Sequence, residues 1–238
     1  MTDSTSILKP GPLAGAISGD VIGSKFEGAY IKTTEFPILD EDSDFTDDTV
    51  LTIAVADSLT SNKPFSDTLW EYGRRHPDRG YGGMFISWLQ EERPKPYGSY
   101  GNGSAMRVSP VGAACQSMED VLETAGRSAE VTHNHPEGIK GAKAIAAAVF
   151  LAQNGSSKED IRNFIVRSFN YNLDFRLDDI RAGYEFNATC QRTVPEAIVA
   201  FLESDDYESA VRLAVSIGGD TDTIACMTGG TAGPVRRS

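Results

Sequence analysis

Ser216-Ile217-Gly218-Gly219-Asp220-Thr221-Asp222-Thr223-Ile224-Ala225 is the stretch on which the reading of this chain turns. From Ile224 to Ala232 the residues are small, apolar or hydroxyl-bearing, and none is charged. A helix without a polar face must be buried. This one would be opened by two aspartates, and buried charges need partners. The stretch looks superficially like an Asp-x-Asp calcium loop, but it lacks the glutamate that an EF-hand requires.

A second acidic cluster, Thr46-Asp47-Asp48-Thr49, lies about 170 residues earlier. On its own it reads equally as an ordinary helix N-terminus, where Thr caps and Asp favours the dipole. Both clusters pack hard oxygen ligands into a few residues and contain neither Cys nor His. That donor set suits Mg²⁺, Mn²⁺ or Ca²⁺ and does not suit zinc or copper. If the fold brings the clusters together, four carboxylates converge, which is costly unless cations sit among them.

Three further segments stand out. In Gly15-Ala16-Ile17-Ser18-Gly19-Asp20-Val21-Ile22-Gly23-Ser24-Lys25-Phe26-Glu27, glycines recur every four residues along one helix face. They read as close helix packing, with Glu27 at the helix end as a possible functional carboxylate. Gly98-Ser99-Tyr100-Gly101-Asn102-Gly103-Ser104-Ala105-Met106-Arg107 is a glycine loop opening an Ala-containing helix, which offers backbone N–H groups to a phosphate. It is not a P-loop, since no Lys-Ser/Thr follows. Thr132-His133-Asn134-His135-Pro136 holds two of the three histidines. No third zinc ligand stands nearby, so substrate contact or a polar helix end is the expected role.

The rest of the chain has helical periodicity and no run of alternating strands. Helices are expected over Pro12 to Ser24, after a cap at Thr46 or Asp47, from Ser66 towards Arg75, over Val121 to Thr132 behind Ser117 and Asp120, over Gly138 to Gln153, after Ser157, from Thr193 with Pro195 in its first turn, and over Asp206 to Ile217. The least regular stretch, Gly80 to Arg107, is expected to be a functional loop region. One all-α domain over residues 1–238 is expected.

The 238 residues are 40% hydrophobic, enough for a substantial core. A net charge of −12 argues against a general nucleic-acid binder. Cys115, Cys190 and Cys226 are odd in number and unpaired in spacing, as in a reducing, cytoplasmic protein. The polar start, MTDSTSILKPGP, lacks a signal peptide's apolar region, and no apolar run is long enough to span a membrane. No heptad or exposed apolar stripe appears, so a monomer is expected.

In this order, the five segments resemble the ADP-ribosylglycohydrolase family, which includes the dinitrogenase reductase-activating glycohydrolase and the ADP-ribosyl-arginine and ADP-ribosyl-serine hydrolases. The likeness runs from about Leu13 to Gly233. It implies a compact, orthogonal all-α fold with two Mg²⁺ or Mn²⁺ ions in a central cleft. By the same likeness, Thr46, Asp47, Asp48, Asp220, Asp222 and Thr223 are the metal ligands, and Glu27 lies beside the scissile bond. Gly101, Asn102, Gly103 and Ser104 hold the ADP-ribose phosphates and distal ribose, and His133 lines the same cleft. The implied reaction is metal-dependent cleavage of the glycosidic bond between ADP-ribose and an acceptor, on a modified protein or a small molecule. Glu27 or a metal-ligating aspartate, Asp47 or Asp222, would assist proton transfer; the sequence leaves that choice open. Two other readings compete: a binding or structural member of the same fold without turnover, and a metal hydrolase acting on a phosphate ester or pyrophosphate. The chain departs from the family in a short, polar Gly28-to-Asp44 loop and in closing at Gly233-Pro234-Val235-Arg236-Arg237-Ser238, where relatives usually continue. One cleft wall is expected to differ as a result.

Overall fold

A computed structural model describes residues 11–92 and 94–233. The polar start over residues 1–10 and the closing residues 234–238 lie outside the described residues, as do the expectations placed on them. Among the described residues the regular structure is helical, with no strand and one isolated bridge between Gly101 and Thr189. The helices are α1 (Pro12–Ser24), α2 (Asp47–Ser61), α3 (Phe65–Arg75), α4 (Gly83–Gln90), α5 (Gly103–Met106), α6 (Ser109–Ala114), α7 (Met118–Glu130), α8 (Pro136–Gln153), α9 (Lys158–Phe169), α10 (Leu177–Arg181), α11 (Cys190–Glu203), α12 (Tyr207–Ser216) and α13 (Thr221–Ala232).

α13 is the axis of the fold. Every residue from Thr221 to Ala232 is buried, as its lack of a polar face requires. α1 runs antiparallel against it with backbones in direct contact. A Cβ at Gly23 would sit 2.5 Å from Thr221 O, and those at Gly15 and Gly19 would sit closer still to Gly229 O and Ala225 O. The glycine stripe is therefore a packing device. Gly218 and Gly219, both with positive φ, turn the chain sharply from α12 into α13. α8, rich in alanine, and α11 close the core from the other side through Ala144 to Val149 and Val194 to Phe201.

Caps on α7 and α9 form as expected, Ser117 and Ser157 accepting from the amides of Asp120 and Asp160; α12 starts at Tyr207, one residue later than expected, because Asp206 serves as its cap and accepts from the Ser209 amide. Three further expected boundaries move. α3 starts at Phe65, with Pro64 at the cap, because Phe65 is drawn into the core; Ser66 instead donates to Asp67 Oδ1 at 2.9 Å. The Gly80-to-Arg107 stretch contains α4, whose Phe85 and Trp88 are buried and stack in line with Tyr81 at 5.3 Å spacings. α11 starts at Cys190, whose amide donates to Tyr100 O at 3.1 Å, so Pro195 falls inside the helix rather than in its first turn. The Gly28-to-Asp44 loop has no helix. It is tied down by Lys32 Nζ donating to Tyr184 O and Ile217 O, and by Arg212 Nη1 donating to Thr34 O and Phe36 O. No helix among the described residues is long and apolar enough to cross a membrane.

Candidate functional site

Three elements bring the acidic residues together. α1 carries Asp20 beside Gly19, so its tight contact with α13 presses Asp20 towards the α13 N-terminus. α2 begins at Asp47, with Thr46 as its cap; α13 begins at Thr221, after Asp220. The two acidic clusters thus sit on two helix N-termini that meet, where the peptide dipoles favour negative charge. One carboxylate oxygen from each of Asp20, Asp48 and Asp222 lies within 4.8 Å of the other two, and Glu27, Asp220 and Asp222 form a second such group. Asp222 belongs to both.

Several of these oxygens are already engaged. Asp20 accepts from the amides of Thr46 and Thr49, each at 3.0 Å, and from both threonine hydroxyls. Asp220 Oδ2 accepts from Asn102 Nδ2 at 2.8 Å, and Asp48 Oδ2 accepts from Thr223 Oγ1 at 3.1 Å. Asp48 Oδ1, in contrast, is buried and has no partner. A buried carboxylate oxygen without a donor is costly. With an all-oxygen donor set around it, the residues fit a hard divalent cation.

The electrostatics agree. Among the described residues no Lys, Arg or His forms an ion pair with Asp20, Asp47, Asp48, Asp220 or Asp222. Burial, then the charges of their neighbours, holds Asp48 and Asp222 well above the ordinary carboxylate range. Burial also raises Asp20 and Asp220 against their hydrogen bonds, and pushes Asp47 up to about 8 with help from Asp20 and Asp220. Glu27 is exposed by surface area, yet its carboxyl is crowded enough to be raised too, first by desolvation and then by Asp220 and Asp20.

This sets a pH dependence with a definite sign. In the metal-free protein the folded carboxyls hold protons that the unfolded chain releases near pH 4. Stability is then lost as pH rises from there through the raised values, Asp47's near 8 among them. Thermal melts in chelator are expected to show Tm falling between about pH 5 and 8, and saturating Mg²⁺ should remove the fall. A flat or rising Tm in chelator would contradict the clustering of charge.

The cluster forms the floor of a cleft of about 530 Å³, a size suited to a nucleotide-scale ligand. Its lining joins Glu27, Asp47, Asp48, Asp220, Asp222 and Thr223 to Gly101, Asn102, Gly103 and His133, and includes the exposed Met84 and Phe186. Asp47 faces the cleft but stands outside both carboxylate groups. Thr46 does not line it; its hydroxyl donates to Asp20 Oδ1 at 2.7 Å and accepts from the Asp48 amide. Ser104 is fully buried behind the loop, donating to Gly138 O at 2.8 Å. His133 Nδ1 meets Thr132 Oγ1 at 2.7 Å, and burial, then Arg107, lowers its pKa well below the usual value, so the ring is neutral. His135 caps α8 by accepting from the Glu137 amide at 3.1 Å and stands apart from both carboxylate groups.

Two site residues were not singled out from the sequence. Asp20 has one visible signal, a lone charge within an otherwise Gly- and Ala-rich helix. Arg107 is fully buried, lines the cleft and donates through Nη2 to Ser128 O and Thr132 Oγ1; Nε and Nη1 have no partner. Nothing in the sequence separates it from a surface arginine.

A family model described as ADP-ribosylglycohydrolase matches residues 11–235. ADP-ribosylhydrolase ARH3 of Homo sapiens is 28% identical over 306 aligned positions, covering 94% of this chain and 84% of that protein. ADP-ribosylarginine hydrolase Tri1 of Pseudomonas putida (strain GB-1) is 24% identical, covering 94% and 69%. A solved structure titled ADP-ribosylglycohydrolase-related protein complex superposes with a TM-score of 0.73 at 25% identity, covering 94% of this chain and 86% of that one. The alignment to ARH3 is longer than the 238 residues of this chain, so that relative carries segments with no counterpart here.

Proposed function

The chain belongs to the ADP-ribosylglycohydrolase family, and on that premise we propose that it is a metal-dependent hydrolase that releases ADP-ribose from a modified acceptor, an arginine or serine side chain or a small molecule. The observation that carries this reading is the pair of carboxylate groups sharing Asp222, with Asp48 Oδ1 unpartnered in one of them, on the floor of a nucleotide-sized cleft.

Asp20, Asp48 and Asp222 would hold one ion, and Glu27, Asp220 and Asp222 a second, with Thr46, Asp47 and Thr223 completing the surroundings. Mg²⁺ or Mn²⁺ suits these ligands. Bound there, the ions would neutralise the acidic floor and polarise ribose oxygens. The chain's own residues would do the rest. Asn102, fixed by Asp220, and the adjoining Gly101 and Gly103 would cradle the diphosphate and distal ribose. A neutral His133 would hydrogen-bond without repelling or attracting charge, and Phe186 would offer a flat apolar face to the base. Cleavage at the anomeric carbon passes through an oxocarbenium-like state, which nearby carboxylates stabilise. Glu27 is the exposed carboxylate of the two groups, the one open to an acceptor arriving from solvent, and on that ground we assign the proton transfer to it.

The test is incubation with ADP-ribosylated arginine and serine peptides in Mg²⁺, Mn²⁺ or chelator, with products identified by mass. Free ADP-ribose formed only with metal supports the reading and names the acceptor. AMP as product would point to pyrophosphate cleavage, and metal-dependent ADP-ribose binding without product would point to a non-catalytic binder. Glu27→Gln is expected to lower kcat about a hundredfold while ADP-ribose still binds. Near-full activity across the pH range would remove Glu27 from the proton transfer.

A further inference from the structure

A second recess, of about 340 Å³, lies between α8, α11 and the link that follows α9; Lys140, Tyr171, Gln191 and Glu196 are among its lining residues. Two of its polar side chains are more than nine-tenths buried and have a polar atom without a partner: Tyr171 Oη, on a residue 5% exposed, and Glu196 Oε2, on a residue 6% exposed. The lysine that lines the recess is already engaged: Lys140 Nζ is 2.6 Å from Glu137 Oε2 and lies over the Tyr171 ring at 4.6 Å. No ion pair reaches Glu196 among the described residues. Burial raises its carboxyl to about 7, opposed only in part by a hydrogen bond from its own backbone amide and then by Arg192.

A buried carboxylate beside an open recess calls for a donor, and a cationic donor satisfies both its hydrogen-bonding and its charge. An anion would be repelled, and the recess is much larger than one water. We propose that it is a second ligand site, one that takes a small organic cation, a primary ammonium or a guanidinium, between the Glu196 carboxylate and the Tyr171 hydroxyl.

The recess is placed to influence the glycine loop of the cleft. Gln191 and Glu196 lie on α11, whose first residue, Cys190, bonds Tyr100 O through its amide and Gly101 O through Sγ, both at 3.1 Å. Lys140 lies on α8, whose Gly138 O accepts from Ser104 Oγ. The two helices that wall the recess also hold both ends of Gly101–Ser104. A cation wedged between them would brace the loop from behind.

The proposal does not rest on the hydrolase reading, because its test is binding alone. The full-length chain, saturated with Mg²⁺, would be titrated calorimetrically with ethylammonium chloride and with methylguanidinium chloride, against matched sodium chloride. One saturable site is expected for at least one probe. Affinity should fall at least about tenfold in Glu196→Gln and more modestly in Tyr171→Phe. Asp222→Asn should bind as the parent does, since the acidic cleft is a different place. Glu196→Gln removes a buried uncompensated charge and should melt no lower than the parent; if it fails to fold, Tyr171→Phe carries the test. Absence of saturable binding, unchanged affinity in both recess variants, or loss in Asp222→Asn alone would each overturn the proposal.

Discussion

Asp222→Asn is expected to remove most of the activity while making the metal-free protein more stable. The two effects have one cause. Asp222 is the residue common to both carboxylate groups, so its loss weakens both. Its carboxyl is held well above the usual range by burial and by Asp48, Asp220 and Glu27, which means that the charge is resisted in the fold when no cation is present. The amide keeps the shape and can still accept from the Thr223 amide, which reaches Asp222 Oδ1 at 2.9 Å. A bound divalent cation supplies several kcal/mol of charge stabilisation. Losing about 4 kcal/mol of it corresponds to roughly a thousandfold in rate. Melts in chelator should therefore show Asp222→Asn at or above the parent. Adding Mg²⁺ should raise the parent's Tm, since a ligand that binds only the folded state stabilises by mass action, and should leave the variant nearly unmoved. If the variant kept both the Mg²⁺-induced shift and its turnover, Asp222 would not be a shared ligand.

The parts of this site that were legible in the sequence are those whose meaning is local. A charge-free helix opened by Asp220 and Asp222 had to be buried, and it is. Glycines four apart had to face a close neighbour, and they face α13. The illegible parts are those whose partners come from far along the chain. Asp20 is an ordinary charge until α2 arrives with the amides of Thr46 and Thr49. Ser104 sits in the glycine loop by sequence, but its hydroxyl turns away from the cleft to Gly138 on α8. Pro195 signals a first turn, yet the pairing of Cys190 with Tyr100 starts α11 earlier and carries the proline inside. α4 was hidden by Gly82 and Gly83, which stand at its cap and first position, outside the helix interior, where glycine costs little. The proline is the costliest of these, about 3 kcal/mol in a helix interior, and the buried face of α11 outweighs it.

Gly19→Ala is expected to destabilise the protein by about 3 kcal/mol, roughly 10 °C in Tm, and to weaken Mg²⁺ binding as well. The sign is the informative point. Replacing glycine by alanine inside a helix ordinarily stabilises by nearly 1 kcal/mol. At Gly19 the added Cβ would fall far inside van der Waals contact with the Ala225 carbonyl oxygen, and that oxygen is backbone and cannot swing aside. α1 and α13 must then separate. Asp20 follows Gly19 on α1 and Asp222 opens α13, so the separation pulls apart two of the three carboxylates of one group. Gly126→Ala on α7 is the matched control. Its Cβ would meet chiefly the end of the flexible Lys143 side chain, so this variant should melt at or above the parent and bind Mg²⁺ normally. Chemical denaturation gives the stability difference, and the Mg²⁺-dependent Tm shift reports the site. If Gly19→Ala lowered stability but left the Mg²⁺ shift intact, the glycine stripe would serve the core alone and Asp20 would stand outside the metal group. If both fell together, the helix contact that makes the fold is also the one that sets the spacing of the site.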